Sequence, residues 1–393
     1  MVRHFDFVVV GRGMMGAAAA RHLTKAGASV ALVGRGEPAD WKAHDGVFSS
    51  HYDSGRITRT IDQDADWALL ASRSIARYRA IEAESGIPFY GETGCLISGP
   101  AGSDFINSVA AVAERHALDA LLLDRTALRQ RFAWFDLPET SAGVFEAKGA
   151  GYVDPRKLVA AQVACFEKAG GTSILDDANS VSDAGDRAAV ALKSGGSVTG
   201  GRVLVATGGF SRAPGLLPKV PALVVKARTV VLAQLTPEQV EAYRGMPSWI
   251  DEGTDPSEHF YFLPPIVYPD GETYLKIGGD PTDVEIEEEQ AIRDWFGGEG
   301  RPEAIVHLKR LLARALPDLK PVRLLSVPCV TTYTTHGYPY AGFVEGERIA
   351  LLTGGNGAAA KSSDEIGRIG ADLVIRGRLD EPDYATDFAV HFR

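Results

Sequence analysis

"FDFVVVGRGMMGAAAARHLTKAGASVALVG", residues 5–34, decides the fold. Residues 5–10 form a short apolar run, the mark of a strand buried on both faces. The run enters Gly11-Arg12-Gly13-Met14-Met15-Gly16, and an alanine-rich helical stretch follows and ends at Gly27, a C-cap. Residues 29–34 read as a second strand. A strand–helix–strand unit with G-x-G-x-x-G at its first turn is a dinucleotide-binding pattern. Gly11 permits the tight turn, Gly13 lets the backbone approach a pyrophosphate, and Gly16 lets helix and strand pack closely. Met14 and Met15 open the helix, whose free N–H groups face the phosphates. One element departs from the pattern. The second strand should end in an acid that holds a ribose hydroxyl, and Gly34 stands there, followed by Arg35. Glu37 or a backbone group is one substitute. Arg35 is either a contact for an extra phosphate, as in NADP, or a solvated loop charge.

Outward from this unit, 393 residues favour two domains over one core. Hydrophobic residues make up 45% and charged residues 23%, as in ordinary globular chains. A net charge of −10 without a basic patch argues against nucleic acid. No apolar run reaches the roughly 18–20 residues of a membrane span, and the N-terminus lacks a signal-peptide cleavage pattern. Three cysteines, at 95, 165 and 329, have no metal-ligand spacing. Their odd, sparse count fits a reducing compartment, so a cytoplasmic protein without a metal site is expected.

Helical periodicity spans residues 66–86. Residues 154–171 open on an Asp N-cap with Pro at the first helical position and place Cys165 on an apolar face. RVLVATGG (202–209) is an apolar strand ending at Thr207 and Gly208, where a backbone can lie against a ligand. Residues 224–281 alternate like an antiparallel sheet. Two helices follow, then a buried strand at 348–355 and a last helix from about 362. This order predicts an α/β fold of two interleaved domains: a Rossmann-like dinucleotide domain (1–88, 150–222 and 322–393) and an antiparallel-sheet substrate domain (89–149 and 223–321).

Four further segments carry a resemblance. They are DSGRITR (53–59), YLKIGGD (274–280), GGNGAAAKSSDEIG (354–367) and SVPCVTTYT (326–334). With the glycine turn, they make the chain similar to flavin-dependent amine oxidases of the D-amino-acid-oxidase superfamily, within it the group of monomeric sarcosine oxidase and N-methyltryptophan oxidase. The resemblance implies FAD as cofactor and a small amine or amino-acid substrate oxidised at its C–N bond to an imine. It also implies O2 reduced to H2O2, and a single-chain enzyme. It places Arg56 near the flavin and Arg59 on the substrate carboxylate, which a guanidinium matches bidentately. Lys361 joins that clamp, and Lys276 supplies the charge that promotes reaction with O2. Tyr261 lies over the substrate. Gly354, Gly355 and Gly357 leave room for the flavin edge, and Cys329 tethers the flavin covalently.

The chain also departs from that group. Thr331 stands for a tyrosine, Asp280 and Ala358 for histidines. Smaller residues imply a roomier pocket, and Asp280 suits a cationic part of the substrate, so a bulkier secondary or N-alkyl amino acid is expected in place of sarcosine. The alternatives are a D-amino-acid or glycine oxidase with non-covalent FAD, a dehydrogenase serving a quinone or carrier protein, and a non-catalytic flavin- or NADP-binding regulatory protein. A tRNA-modifying relative is disfavoured by the acidic charge.

Overall fold

The computed structural model describes residues 3–41 and 43–393. The first two residues of the N-terminal segment read for a signal peptide lie outside it. The opening unit forms as the sequence dictates: strand Arg3–Val10, helix Met14–Lys25 and strand Val30–Val33. Strand Arg3–Val10 pairs in parallel with Val30–Val33 on one side and Ser197–Val205 on the other. Thr172–Ile174 and Ile349–Thr353 extend this parallel core outward. The antiparallel strands Ala178–Asp183, Ala188–Leu192 and Tyr340–Glu345 complete eight strands. Val8, Val9, Leu32, Val205 and Leu351 are all but inaccessible to water, as a sheet covered on both faces requires. One face is covered by helices Met14–Lys25, Pro155–Lys168 and Ala359–Arg376.

The second large sheet has nine strands and runs from Val284–Glu285 to Ala120–Leu123. Its pairings are antiparallel except one, since Ser248–Asp251 lies parallel to Cys95–Pro100. That exception joins segments about 150 residues apart, so no local alternation announces it. Strand Leu324–Tyr333 pairs along its whole length with residues 224–233 of this sheet. The expected dinucleotide segment 322–393 thus begins with a strand of the other sheet, drawn there by a ten-residue backbone ladder.

A third sheet of Arg56–Thr58, Gly151–Val153 and Tyr90–Gly91 was not expected. Its strands hold only two or three residues each, too few to show a period. The last helix begins at Ala359, which places Lys361 in its first turn and not in the preceding loop. Its N-cap, Ala358, makes no side-chain cap, so the sequence carried no start signal there.

Candidate active site

A cavity of about 800 Å3 is walled by residues of all three sheets. The glycine turn forms part of its wall. Gly11 has φ +113°, a conformation that favours glycine, and a Cβ on Gly16 would stand 1.9 Å from the Gly11 carbonyl oxygen. Gly16 accordingly lies beneath the turn and not at the cavity, whereas Gly11, Gly13, Met14 and Met15 face it. A Cβ on Gly13 would meet only the Ser49 hydroxyl, at 3.3 Å. The helix that starts here has no side-chain cap and no acid in its first turn, so its N–H groups remain open to an anion.

Gly34 lacks an acid for a steric reason: a Cβ there would stand 2.7 Å from the backbone N and the Cβ of Arg12. Glu37 does not take over. Its carboxylate accepts from Arg156 Nε and Nη2 at 2.6 and 2.8 Å. Arg35 lines the cavity with its Nε 3.5 Å from Asp177, a pairing that leaves less of its charge for an extra phosphate. Asp177 is buried at the cavity wall, and neither of its carboxylate oxygens has a hydrogen-bond partner. Sequence reading missed Asp177, which lies far along the chain from the glycine turn.

Thr207, Gly208, Gly354, Gly355, Gly357, Arg56, Arg59, Tyr261, Cys329 and Lys361 also line the cavity. Cys329 is half-buried and opposite Arg228 in its ladder, whereas Cys95 and Cys165 are fully buried away from the cavity. Arg56 donates to the Ser50 carbonyl at 3.1 Å and pairs with Asp53. Tyr261 has room because Gly278 faces it: a Cβ there would stand 2.3 Å from the phenol ring. Burial pushes the Tyr261 hydroxyl up to about 12, so it stays a neutral phenol. Burial pushes His51, another cavity residue, down to about 3, aided by the charges of Arg156, Arg12 and Arg56. His51 is thus a neutral imidazole hydrogen-bonded to Ser49 at 2.6 Å.

Lys276, which the resemblance makes the residue that promotes reaction with O2, lies behind the cavity wall. It is fully buried and does not form part of the cavity wall. Its ammonium donates to Asp53 Oδ2 at 2.5 Å and to the Gly55 carbonyl at 2.6 Å. Burial, then the charge of Arg56, lower its pKa, and the Asp53 carboxylate opposes that shift by favouring the ammonium. Asp280 lines the cavity, but Arg301 already donates to its Oδ1 at 2.9 Å, which leaves Oδ2 buried without a partner.

Arg59 and Lys361 converge, and two acids that sequence reading did not single out hold them. Asp62 accepts from both cations. Glu146 accepts from the backbone N–H of Thr60 at 2.8 Å and of Ile61 at 3.2 Å, and from the Thr60 hydroxyl, so it fixes the loop between Arg59 and Asp62. Burial pushes Lys361 down to about 8 against the pull of Asp62.

The chain is 31% identical over 147 residues to monomeric sarcosine oxidase of Bacillus sp. (strain B-0618), covering 37% of this chain and 36% of the relative. It is 25% identical over 222 residues to N-methyl-L-tryptophan oxidase of Salmonella heidelberg (strain SL476), covering 56% and 58%. The matched stretches thus span between about a third and somewhat over half of these relatives' lengths. In fold, it superposes on NikD, an unusual amino acid oxidase essential for nikkomycin biosynthesis, with a TM-score of 0.78 at 22% identity, over 100% of this chain and 98% of the other. The sequence pattern of the DAO family matches residues 6–373, and the chain belongs to that family, the FAD dependent oxidoreductases.

Proposed function

We propose that the protein is an FAD-dependent oxidase that converts the C–N bond of a secondary or N-alkyl amino acid to an imine, with O2 as electron acceptor. The observation that carries this reading is the single cavity wall shared by the glycine turn, the Arg59–Lys361 pair, Tyr261 and Cys329. Three features suit FAD: the open helix start, the lack of a side chain at Gly13, and the Asp177 carboxylate, whose oxygens accept no hydrogen bond and so can serve hydroxyl or amine donors where Gly34 offers none. The turn at Gly11–Gly16 would hold the pyrophosphate, Arg35 and Asp177 the adenosine end, and Arg56, Thr207, Gly208, Gly354, Gly355, Gly357 and Lys361 the remainder. When bound, FAD accepts the two electrons that leave the C–N bond.

The chain's own part is binding and orientation. Arg59 and Lys361 make this end of the cavity cationic, and that charge turns an amino acid's carboxylate toward it. A substrate that binds as the free amine needs no protein base to remove a proton first. Tyr261 closes the wall as an uncharged ring. We place the dinucleotide domain at 1–88, 150–222 and 322–393 and the substrate domain at 89–149 and 223–321, with Leu324–Tyr333 crossing between their sheets. With its cysteines unpaired, the chain suits a reducing compartment such as the cytoplasm.

The test is a panel of N-methyl, N-alkyl and cyclic amino acids assayed for H2O2. Turnover of at least one, with peroxide formed in step, is expected; a flavin-loaded protein inert toward the whole panel would end this reading. A second reading, a dehydrogenase using a non-O2 acceptor, is favoured by the Asp53 carboxylate on Lys276, which offsets the charge that assists O2. An artificial dye that restores rapid turnover where O2 does not would establish it.

Cys329 is the proposed covalent attachment point, supported by its place on the wall beside Arg228. Acid precipitation of the wild type should give a yellow pellet, and that of Cys329→Ala a yellow supernatant. A colourless wild-type pellet would rule the tether out.

A further inference from the structure

Arg59 and Lys361 meet on one atom. Arg59 Nη1 lies 2.7 Å and Lys361 Nζ 2.8 Å from Asp62 Oδ2. Asp62 is buried and is not part of the cavity wall, whereas both cations are, so the carboxylate stands behind them. The two cations are unequally committed. Lys361 also donates to the Trp67 carbonyl at 3.4 Å, and only 4% of its side chain is exposed. Arg59 is 16% exposed, and its Nε is buried with no acceptor. A buried donor without an acceptor is costly, so the Arg59 fork is less fully satisfied than the Lys361 ammonium. Without a carboxylate between them, two cations this close in a buried site would repel strongly.

We propose that Asp62 is a positioning residue that takes Lys361 as its own counter-ion and leaves Arg59 as the single group that binds the substrate's acid, so that Lys361 acts through Asp62 and does not touch the substrate. This rests on the amine-oxidation reading, which puts an amino acid in the cavity. Removing Lys361 alone leaves Asp62 to neutralise Arg59. Removing Lys361 and Asp62 together restores the local charge and leaves Arg59 free.

The test uses the flavin-loaded protein and isobutyrate, an unreactive carboxylate, titrated by its perturbation of the visible flavin spectrum. Lys361→Met should weaken binding about tenfold or more, and the Asp62→Asn, Lys361→Met double variant should recover to within about threefold of wild type. A direct lysine contact predicts otherwise, because a lost charged hydrogen bond of about 1.5–3 kcal/mol, or about 10- to 150-fold, is not returned by charge balance. A double variant that stays tenfold weak, or a wild type that binds no isobutyrate, would overturn the proposal. Asp62→Ala replaces Asp62→Asn if the latter does not fold. Wild-type crystals soaked in isobutyrate give a check independent of any variant: the carboxylate should sit on Arg59 with Lys361 still on Asp62, and a ligand oxygen on Lys361 Nζ refutes it. An inert amine panel tells against the oxidase reading; failure of the titration or the soak in a flavin-loaded, active protein tells against this inference alone.

Discussion

Replacing Asp364 by alanine is expected to destabilise the fold by about 3–5 kcal/mol at neutral pH, because it strands buried cations. Asp364 lies in helix Ala359–Arg376 and is wholly buried. Arg21, itself buried in the first helix, donates to it at 2.6 Å, Gln162 at 2.8 Å, and Arg77 of helix Ala65–Ser85 at 2.5 Å. One carboxylate thus joins the helix of the glycine turn to the helix that carries Lys361. Burial raises the Asp364 pKa, but the hydrogen bond to His22 and the charges of Arg21 and Arg77 outweigh it and hold the group well below the ordinary carboxylate range. A carboxyl depressed in the folded state stabilises at pH above its unfolded pKa, about 3.9, and that contribution fades as pH falls through the folded value. Urea midpoints of wild type and Asp364→Ala should therefore differ fully at pH 7 and draw together below about pH 4. Equal midpoints at pH 7 would show that the network contributes nothing net.

The second large effect is expected at Lys276. Lys276→Met should slow reaction with O2 about 100-fold or more, while anaerobic bleaching by the same amine changes less than threefold. A fixed cation in a dry site acts on developing negative charge through a low dielectric, and losing one such group costs about 100- to 1,000-fold. Lys276 is proposed to do this from behind the wall, where Asp53 and the Gly55 carbonyl hold its ammonium. Arg56 also pairs with Asp53, so the variant keeps a counter-ion for that carboxylate. Stopped-flow traces of the two half-reactions separate the outcomes. Equal slowing of both contradicts the assignment, and a wild type already as slow with O2 as the variant points to the dehydrogenase reading.

The opening unit was legible because its signals are local: a buried run, three glycines at fixed spacing, then an alanine-rich helix. The segments around Arg59, Lys361 and Cys329 were legible through resemblance, and all three residues reach one cavity wall. What escaped depends on long-range pairing. Asp62 stands three residues from Arg59, yet its bond to Lys361 spans 299 positions, and Glu146 reaches Thr60 across 86. The blank at Gly34 made sense only once Arg12 was seen to fill its space. The contact of Lys276 with Asp53 behind the wall likewise spans 223 positions.

The parallel core has a bearing on biosynthesis. Strand Ile349–Thr353 lies against Ser197–Val205, and the final helix packs on the first. On the ribosome, then, helix Met14–Lys25 waits for helix Ala359–Arg376, made far later in the chain. The nascent glycine turn has no finished pocket around it until residues near 376 emerge.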